Sequence, residues 1–192
     1  MLGLKRGTVA LYPHETAWER EAAATIETLR GILGDAAADI QHVGSTSIPG
    51  ICAKPIVDIA VAARRIDQVL ELQPVLEAHG FYYRPGKSIE NQELFARGSY
   101  YEGLGDEQTH FIHVVLADSP EWHDYLNFRD YLNAFPEAAG AYEALKKSLA
   151  AANPEDAGRE KYLAGKRSFI QETLRKAEAW VRLGMPETAS AD

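Results

Sequence analysis

The chain of 192 residues is long enough for one large domain or for a domain with a helical appendage. Its hydrophobic fraction of 46% and charged fraction of 25% are ordinary for a globular protein. The net charge of −8 argues against a duplex nucleic acid as partner, because basic side chains must neutralise the phosphates. It leaves open a small anionic ligand that is held in a local basic pocket.

The only cysteine, Cys52, excludes an intrachain disulfide and a thiolate zinc cluster. No apolar stretch approaches the length of a membrane span, and the first residues do not resemble a signal peptide. We therefore expect a reduced, cytoplasmic location and no membrane partner. The oligomeric state stays open.

The first 118 residues are expected to form a mixed sheet with two helices, which is an α/β (or α+β) arrangement. Thr16, with Glu19 three residues later, has the spacing of a helix-capping box. Apolar patterning predicts helices at Ala17–Leu33 and Ile66–His79, and strands at Thr8–Tyr12, Ala38–Val43, Pro55–Ala62, Phe81–Arg84, Glu93–Arg97 and Gln108–Leu116.

The strand Pro55–Ala62 has the most continuous apolar run in the chain. Such a strand needs cover on both faces, so we expect it in the middle of the sheet, next to the strand that holds His113. It contains one acid, Asp58. Burial of a carboxylate is costly unless it is paired, protonated or bound to a metal.

From Ser119 onward the sequence is helical in character. Pro120 suits the first turn of a helix, whereas Pro136 and Pro154 interrupt helices. We therefore divide the chain into an α/β core at 1–118, a helical lobe packed on it at 119–184, and a frayed tail at 185–192.

The segment between His42 and Asp58 contains the residues with the clearest chemical potential. Gly44 begins a tight turn, and glycine lets a phosphate approach the N–H groups and hydroxyls of Ser45 and Ser47. Lys54 adds a positive charge. With a strand carboxylate for Mg²⁺, these groups form a minimal site for a nucleoside triphosphate. In the other interpretation the loop is ordinary, and Asp58 only accepts hydrogen bonds that hold it.

This segment, His42–Ile59, resembles the signature of the GrpB family, also called UPF0157. The resemblance implies membership of the nucleotidyltransferase superfamily, with a fold similar to the palm of polymerase β. In some relatives the domain is joined to a dephospho-CoA kinase, which implies nucleotide or coenzyme A metabolism. The resemblance covers about Val9 to Ala177 and continues in Thr109–Val115, Asn127–Leu132, Tyr142–Lys146 and Tyr162–Lys166.

The superfamily pattern is a Gly-Ser turn, a spacer, and then an aspartate, an apolar residue and a second acid. Gly44-Ser45 and Asp58-Ile59 fit this pattern, but Ala60 occupies the second acid position. Side chains two apart on a strand point to one face, so a metal ligand is missing beside Asp58. This absence argues against ordinary two-metal nucleotidyl transfer.

His110 and His113 are candidates to complete the metal site, with Mg²⁺ or Mn²⁺ as the expected cofactor. Their odd separation places them on opposite faces of a regular strand, so only one can join Asp58. We favour His113, which precedes two valines. Alternatively, His110 is a surface residue and His113 is a hydrogen-bonded core residue.

Further candidate ligand-binding residues lie outside the turn. His42 orients Asp58, touches a phosphate, or makes a structural hydrogen bond. Arg84, together with Lys87 and Arg97, is a candidate phosphate ligand. Lys166 follows Tyr162 by one helical turn, and either binds the ligand or packs the helical lobe on the sheet.

Two functions follow from these residues. The first is a metal-dependent nucleotidyltransferase-like activity on a nucleoside triphosphate and a small acceptor, with Asp58 and His113 at its centre. The second is a module on the same fold that binds a nucleotide or a coenzyme A-like ligand without chemistry, as Ala60 suggests.

Overall fold

The computed structural model describes residues 1–85, 91–152 and 158–184, and these residues form the expected mixed α/β fold. Short 3₁₀ turns occupy Gly34–Ala36 and Ser45–Ser47. Across the described ranges, no helix combines the length and apolar character that a membrane span requires. In chain order the elements are β1 (Leu4–Lys5), α1 (Thr16–Leu33), β2 (Ala37–Val43), β3 (Val57–Ala63), α2 (Ile66–Glu71), α3 (Gln73–Ala78), β4 (Tyr82–Tyr83), β5 (Gln92–Arg97), α4 (Ser99–Glu102), β6 (Glu107–Gln108), β7 (His110–Leu116), α5 (Pro120–Ala134), α6 (Pro136–Ala152) and α7 (Gly158–Arg182).

The main sheet has five strands in the order β2-β3-β7-β5-β4. Strand β3 pairs in parallel with β7 and antiparallel with β2, while the remaining pairs are antiparallel. Every residue of β3 except Asp58 is buried. The prediction that this strand lies inside the sheet, beside the strand of His113, is confirmed.

Helix α1 covers one face of the sheet. Its buried side chains, including Trp18 and Leu29, recur at helical spacing and pack against Ile59 and Val61 of β3. The predicted capping box is wrong, because the helix already begins at Thr16 and no side chain caps it.

Helix α5 covers part of the other face. Trp122 packs against a row of small side chains that includes Ala60 and Ala62. Beyond it, Ile48 and Ile51 of the loop after β2 are buried against Leu132 of α5 and against α6. The C-terminal helices therefore hold this loop against the edge of the sheet.

The predicted strand Thr8–Tyr12 is wrong. Residues 8–11 form no strand, and only Tyr12 makes a β-bridge, to Ala53. No neighbouring strand runs beside residues 8–11, so apolar alternation alone does not form a ladder there. The N-terminal strand is instead β1, which pairs with β6 in a separate two-stranded sheet.

The single helix predicted for Ile66–His79 is divided into α2 and α3 around Leu72. Pro74 explains the division, because it has no N–H and its ring disfavours a helical conformation in the preceding residue. The break at Pro136 is confirmed. Pro154 and the predicted tail at 185–192 lie outside the described residues.

We expect Ser119→Ala to lower the free energy of unfolding by about 1 kcal/mol. The Ser119 hydroxyl accepts a hydrogen bond from the Trp122 N–H (3.2 Å) and caps α5. Urea denaturation measures the change. Ser148→Ala, at an exposed site inside α6, is the control and should cost nothing, since alanine favours helices. Equal losses in both variants would contradict a capping role.

Candidate functional site

Asp58 and His113 meet on the α5 side of the sheet. His113 Nε2 lies 3.0 Å from Asp58 Oδ1, on the neighbouring parallel strand. The Asp58 side chain is 30% exposed and that of His113 is 17% exposed. The carboxylate is thus half-buried and faces a cleft, so it avoids the high cost of full burial that the sequence suggested.

A hydrogen-bonded chain extends from His113 away from Asp58. The Gln92 amide nitrogen lies 3.2 Å from His113 Nδ1, and the Tyr125 hydroxyl donates to Gln92 Oε1 (2.6 Å). This arrangement suits the neutral imidazole whose Nε2–H donates to Asp58. A reversal of the Gln92 amide would support the other tautomer, because the Tyr125 oxygen can also accept.

The turn after β2 closes directly onto Asp58. Gly44 has φ +72°, and a Cβ at this position would lie 2.6 Å from Asp58 Oδ2. Only glycine therefore allows the turn and the carboxylate to approach so closely.

The two candidate serines of this turn differ in role. Ser47 donates both its hydroxyl (2.7 Å) and its N–H (3.2 Å) to Gly44 O, so neither group is available to a phosphate. The prediction of Ser47 as a ligand is therefore not supported by its geometry. The Ser45 N–H, by contrast, donates to no carbonyl within residues 1–85, 91–152 and 158–184. Its hydroxyl oxygen lies 3.5 Å from that of Tyr142.

The loop that follows the turn is clamped to α6 through both backbone groups of Cys52. The Cys52 N–H donates to the Glu143 carboxylate (2.7 Å), and the Lys146 ammonium donates to the Cys52 carbonyl. The bond from the Cys52 N–H lowers the pKa of Glu143 to about 2. Burial, aided by the charge of Lys166, lowers the pKa of Lys146 to about 7.

Two adjoining cavities lie on either side of Asp58. One, which we call the basic cavity, has a volume of ≈ 270 Å³ and is lined by Lys5, Lys54 and Lys166, among others. The second, which we call the aromatic cavity, has a volume of ≈ 580 Å³. The two cavities share the lining residues Ser45, Asp58, His113, Leu163 and Lys166, so Asp58 lies at their junction.

Two of the predicted cations converge in the basic cavity. The ammonium groups of Lys54 and Lys166 lie 4.6 Å and 4.8 Å from the centre of the Tyr162 ring. Both ammonium groups thus make a cation–π contact with the same ring. The ring of Tyr162 is buried, so it gives both lysines a rigid support.

His42 and His110 lie on the opposite face of the sheet. His42 pairs with Ile59, which faces α1, and its Nε2 lies 2.9 Å from the Thr46 hydroxyl. His110 is buried, with Nε2 3.2 Å from the hydroxyl of Thr25. Strand alternation thus removes both from the cleft of Asp58. The assignments of His42 as a phosphate ligand and of His110 as a metal ligand are wrong.

The remaining predicted cations do not enter the cleft. Arg84 is stacked on the ring of Tyr101, 4.9 Å from its centre, beside the edge strand β4. It lines neither cavity, so the structure does not bring Arg84 together with Asp58, Lys54 and Lys166. Arg97 lies over the Phe81 ring, and Lys87 falls outside the described residues.

The donors present fit one divalent ion better than two. Within the described ranges no group of three His, Cys, Asp or Glu side chains is arranged to hold a metal. Two ligands about 2.1 Å from an octahedral ion lie roughly 3 Å apart, which matches the 3.0 Å between Asp58 Oδ1 and His113 Nε2. Asp58 and His113 can therefore supply two ligands once the His113 proton lies on Nδ1 and the Gln92 amide is reversed, because only an unprotonated Nε2 can bind a metal. Nucleotide oxygens and water would have to supply the others.

Several residues of the cleft were missed by sequence reasoning. Gln92 was missed because the strand was predicted to begin one residue later, and Tyr125 was missed because it lies in the helical lobe, where only Lys166 was considered as a ligand. Lys146 did carry a signal, since its spacing of four from Tyr142 places both on one face of α6.

We predict that Gly44→Ala destabilises the protein by more than Gly50→Ala. Both glycines have positive φ, so each substitution costs about 1–3 kcal/mol of backbone strain. Nothing lies within 4 Å of a Cβ at Gly50, whereas one at Gly44 collides with Asp58. Urea unfolding compares the two variants. Equal destabilisation would show that Gly44 and Asp58 are not in close contact.

The free energy of unfolding should fall as the pH drops from 6.5 to 4. Burial lowers the pKa of His42 and of His110 to about 4, so between these values the unfolded chain binds protons that the folded chain does not. The variant His110→Gln removes one of the two buried histidines. It should reduce the loss of unfolding free energy between pH 6.5 and pH 4 by roughly 2–3 kcal/mol. The exposed His123→Gln is the control, and unchanged pH dependence in both would contradict the burial effect.

Comparison with known proteins agrees with this geometry. The family model described as "GrpB protein" matches residues 8–176. The glutamate-rich protein GrpB of Alkalihalophilus pseudofirmus is 38% identical over 175 residues, which cover 91% of this chain and 98% of that protein. A dephospho-CoA kinase of Mycolicibacterium paratuberculosis is 26% identical over 196 residues, and the match covers only 48% of its length.

Solved structures extend the comparison to the fold. The crystal structure of GrpB from Enterococcus faecalis has a TM-score of 0.79 and 30% identity, covering 89% of this chain and 99% of that one. The structure of Cid1 in complex with its short product ApU has a TM-score of 0.50 and 14% identity, covering 73% of this chain and 45% of that one, which is a likeness of fold alone. The chain therefore belongs to the GrpB family, with a nucleotidyltransferase-like fold.

Proposed function

We propose that the chain is a metal-dependent nucleotidyltransferase-like protein that acts on a nucleoside triphosphate and a small acceptor. The observation that carries the proposal is the position of Asp58. This half-buried carboxylate lies against the Gly44 turn and in one cleft with Lys54 and Lys166. A divalent-ion ligand and anion-binding groups are thereby brought together.

In this proposal the phosphates occupy the basic cavity. The Ser45 N–H, which donates to no carbonyl of the described residues, would donate to a phosphate oxygen, and Lys54 and Lys166 would offset the negative charge of the leaving group. The aromatic support of Tyr162 limits the entropy that the two lysines lose on binding. The local charge of this cavity is opposite to the net charge of the chain.

The proposed reaction is an in-line substitution at the α-phosphorus. An acceptor hydroxyl oxygen forms a bond to this phosphorus while the bond to the pyrophosphate oxygen breaks, and the acceptor proton passes to water. Asp58, with His113 beside it, would hold one divalent ion, and such an ion would supply positive charge to offset that of the phosphates. Gln92 and Tyr125 keep the imidazole of His113 in place.

A second candidate is a module that binds a nucleotide or a coenzyme A-like ligand without chemistry. Ala60 favours it, because this residue stands where the superfamily has a second acid and is fully buried beneath α5. The name of the related dephospho-CoA kinase is compatible with a ligand of the coenzyme A type. In both candidates the same cleft binds the ligand.

We expect ATP and Mg²⁺ or Mn²⁺ to bind together, each raising the affinity for the other by the same factor. Asp58→Asn should abolish this coupling and leave the fold intact, because asparagine keeps the shape and removes the charge. Titration calorimetry of ATP, with and without the ion, measures the coupling in both proteins.

The matched control is Asp67→Asn, since Asp67 is exposed on α2 and lines neither cavity. Equal ATP affinities with and without the ion, in the unaltered protein and in Asp58→Asn, would make Asp58 a structural carboxylate. Pyrophosphate release on addition of an acceptor distinguishes the enzyme from the binding module, because only the enzyme turns over.

A further inference from the structure

The aromatic cavity is large enough for a second small molecule and differs in chemistry from the basic cavity. Its volume of ≈ 580 Å³ is within the range of small-molecule sites. Phe128, Ile170 and Leu174 give it an apolar wall between α5 and α7. Of the phosphate-binding groups described above, Ser45 and Lys166 also line this cavity, whereas Lys54 lines only the basic cavity.

The acids of the aromatic cavity lie on the first turns of α5. Glu121 and Asp124 are three residues apart on one helix face, and both line the cavity. In the part of the chain that the structure describes, neither forms an ion pair with a lysine or arginine. Burial, together with the charges of Glu178 and Glu121, raises the pKa of Asp124. Among the described residues Lys166 is the one lysine or arginine that lines the cavity, against the three acids Asp58, Glu121 and Asp124, so negative charge predominates there.

The geometry of in-line substitution places the leaving pyrophosphate in one cavity and the attacking acceptor in the other. The attacking and leaving oxygens lie on opposite sides of the phosphorus. If the phosphorus is held at Asp58, pyrophosphate leaves toward the lysines of the basic cavity, and the acceptor must approach from the aromatic cavity. The acids of the aromatic cavity would repel a second phosphate-bearing molecule and attract a cation.

We propose that the aromatic cavity is the acceptor site and that it selects a compact amine, with its ammonium group at Asp124 and Glu121, its apolar body against Phe128 and Leu174, and its hydroxyl at Asp58. This inference rests on the proposed function for the direction of attack. The binding of an amphipathic amine, however, depends only on the walls of the cavity.

Tyramine is the probe, because it has an ammonium group at one end, a hydroxyl at the other, and a flat apolar ring between them. The matched ligands are 4-ethylphenol, which has no charge, and 3-(4-hydroxyphenyl)propionate, which has a carboxylate instead. Calorimetry or ligand-observed NMR is carried out without nucleotide or metal. We expect tyramine to bind roughly tenfold more tightly than 4-ethylphenol, and the carboxylate to bind least.

Two variants locate the site. Asp124→Asn should weaken tyramine binding roughly tenfold and leave 4-ethylphenol unaffected, since it removes only the charge. Leu174→Trp should weaken both ligands, because the larger ring fills the cavity. Glu137→Gln, in the first turn of α6, is the control for a lost surface charge. Circular dichroism checks that each variant is folded.

Three results would overturn the inference: equal affinities for the three ligands, no binding of tyramine, or displacement of tyramine by adenosine, which would make the cavity the nucleoside site. Because these measurements contain no ATP and no metal, they are independent of the Asp58→Asn experiment. Coupled ATP and metal binding without tyramine binding would leave the proposed function standing and remove only the acceptor assignment.

Discussion

The parallel pairing of β3 with β7 is the constraint on which the candidate site depends. It places His113 opposite Ala60 and within 3.0 Å of Asp58, although 55 residues separate the two polar side chains along the chain. Because β5 pairs with the other edge of β7, Gln92 reaches the same face. The chain must cross over the sheet between β3 and β7 to create this neighbourhood. The sequence predicted the His113 strand beside the Asp58 strand but not the contribution of Gln92 from β5.

The packing of α5 accounts for the absence of a second strand acid. Ala60 is buried beneath Trp122, in a layer whose other members are small or apolar. A carboxylate there would lose its hydration without gaining a partner, unless the helix withdrew from the sheet. The cleft opens only where the helix leaves the strand, at Asp58. At this position a strand can either pack closely under a helix or supply the second carboxylate of a metal centre. In this chain Ala60 packs under α5.

Predictions from the sequence were correct where a local pattern reflects burial. They failed where contacts between residues distant in the chain determine the position of a side chain. The apolar run around Asp58 predicted an inner strand, and the spacing of Ala22, Ile26, Leu29 and Leu33 predicted α1, because both patterns follow from packing on a face. Alternation also predicted correctly that only one of His110 and His113 could join Asp58. The placement of His42 was missed because its pairing with Ile59, and hence its face, depends on the register between two strands.

The predicted cations also differ in whether the sequence could place them in the cleft. Lys54 and Lys166 could be selected from their motifs, but the ring of Tyr162 between them is known only once α7 has packed over the loop. Arg84 has the same charge and a comparable neighbourhood in sequence, yet it is directed to another aromatic ring near the sheet edge. Charge alone therefore does not identify a ligand-binding residue.

The clamp on Cys52 has a consequence for how the cleft responds to an anion. Lys146 has a pKa of about 7, and the nearby charge of Lys166 contributes to that low value. An anion beside Lys166 offsets this charge and raises the affinity of Lys146 for a proton. Anion binding in the basic cavity would therefore raise the pKa of Lys146, and so be linked to proton uptake by its amine near neutral pH.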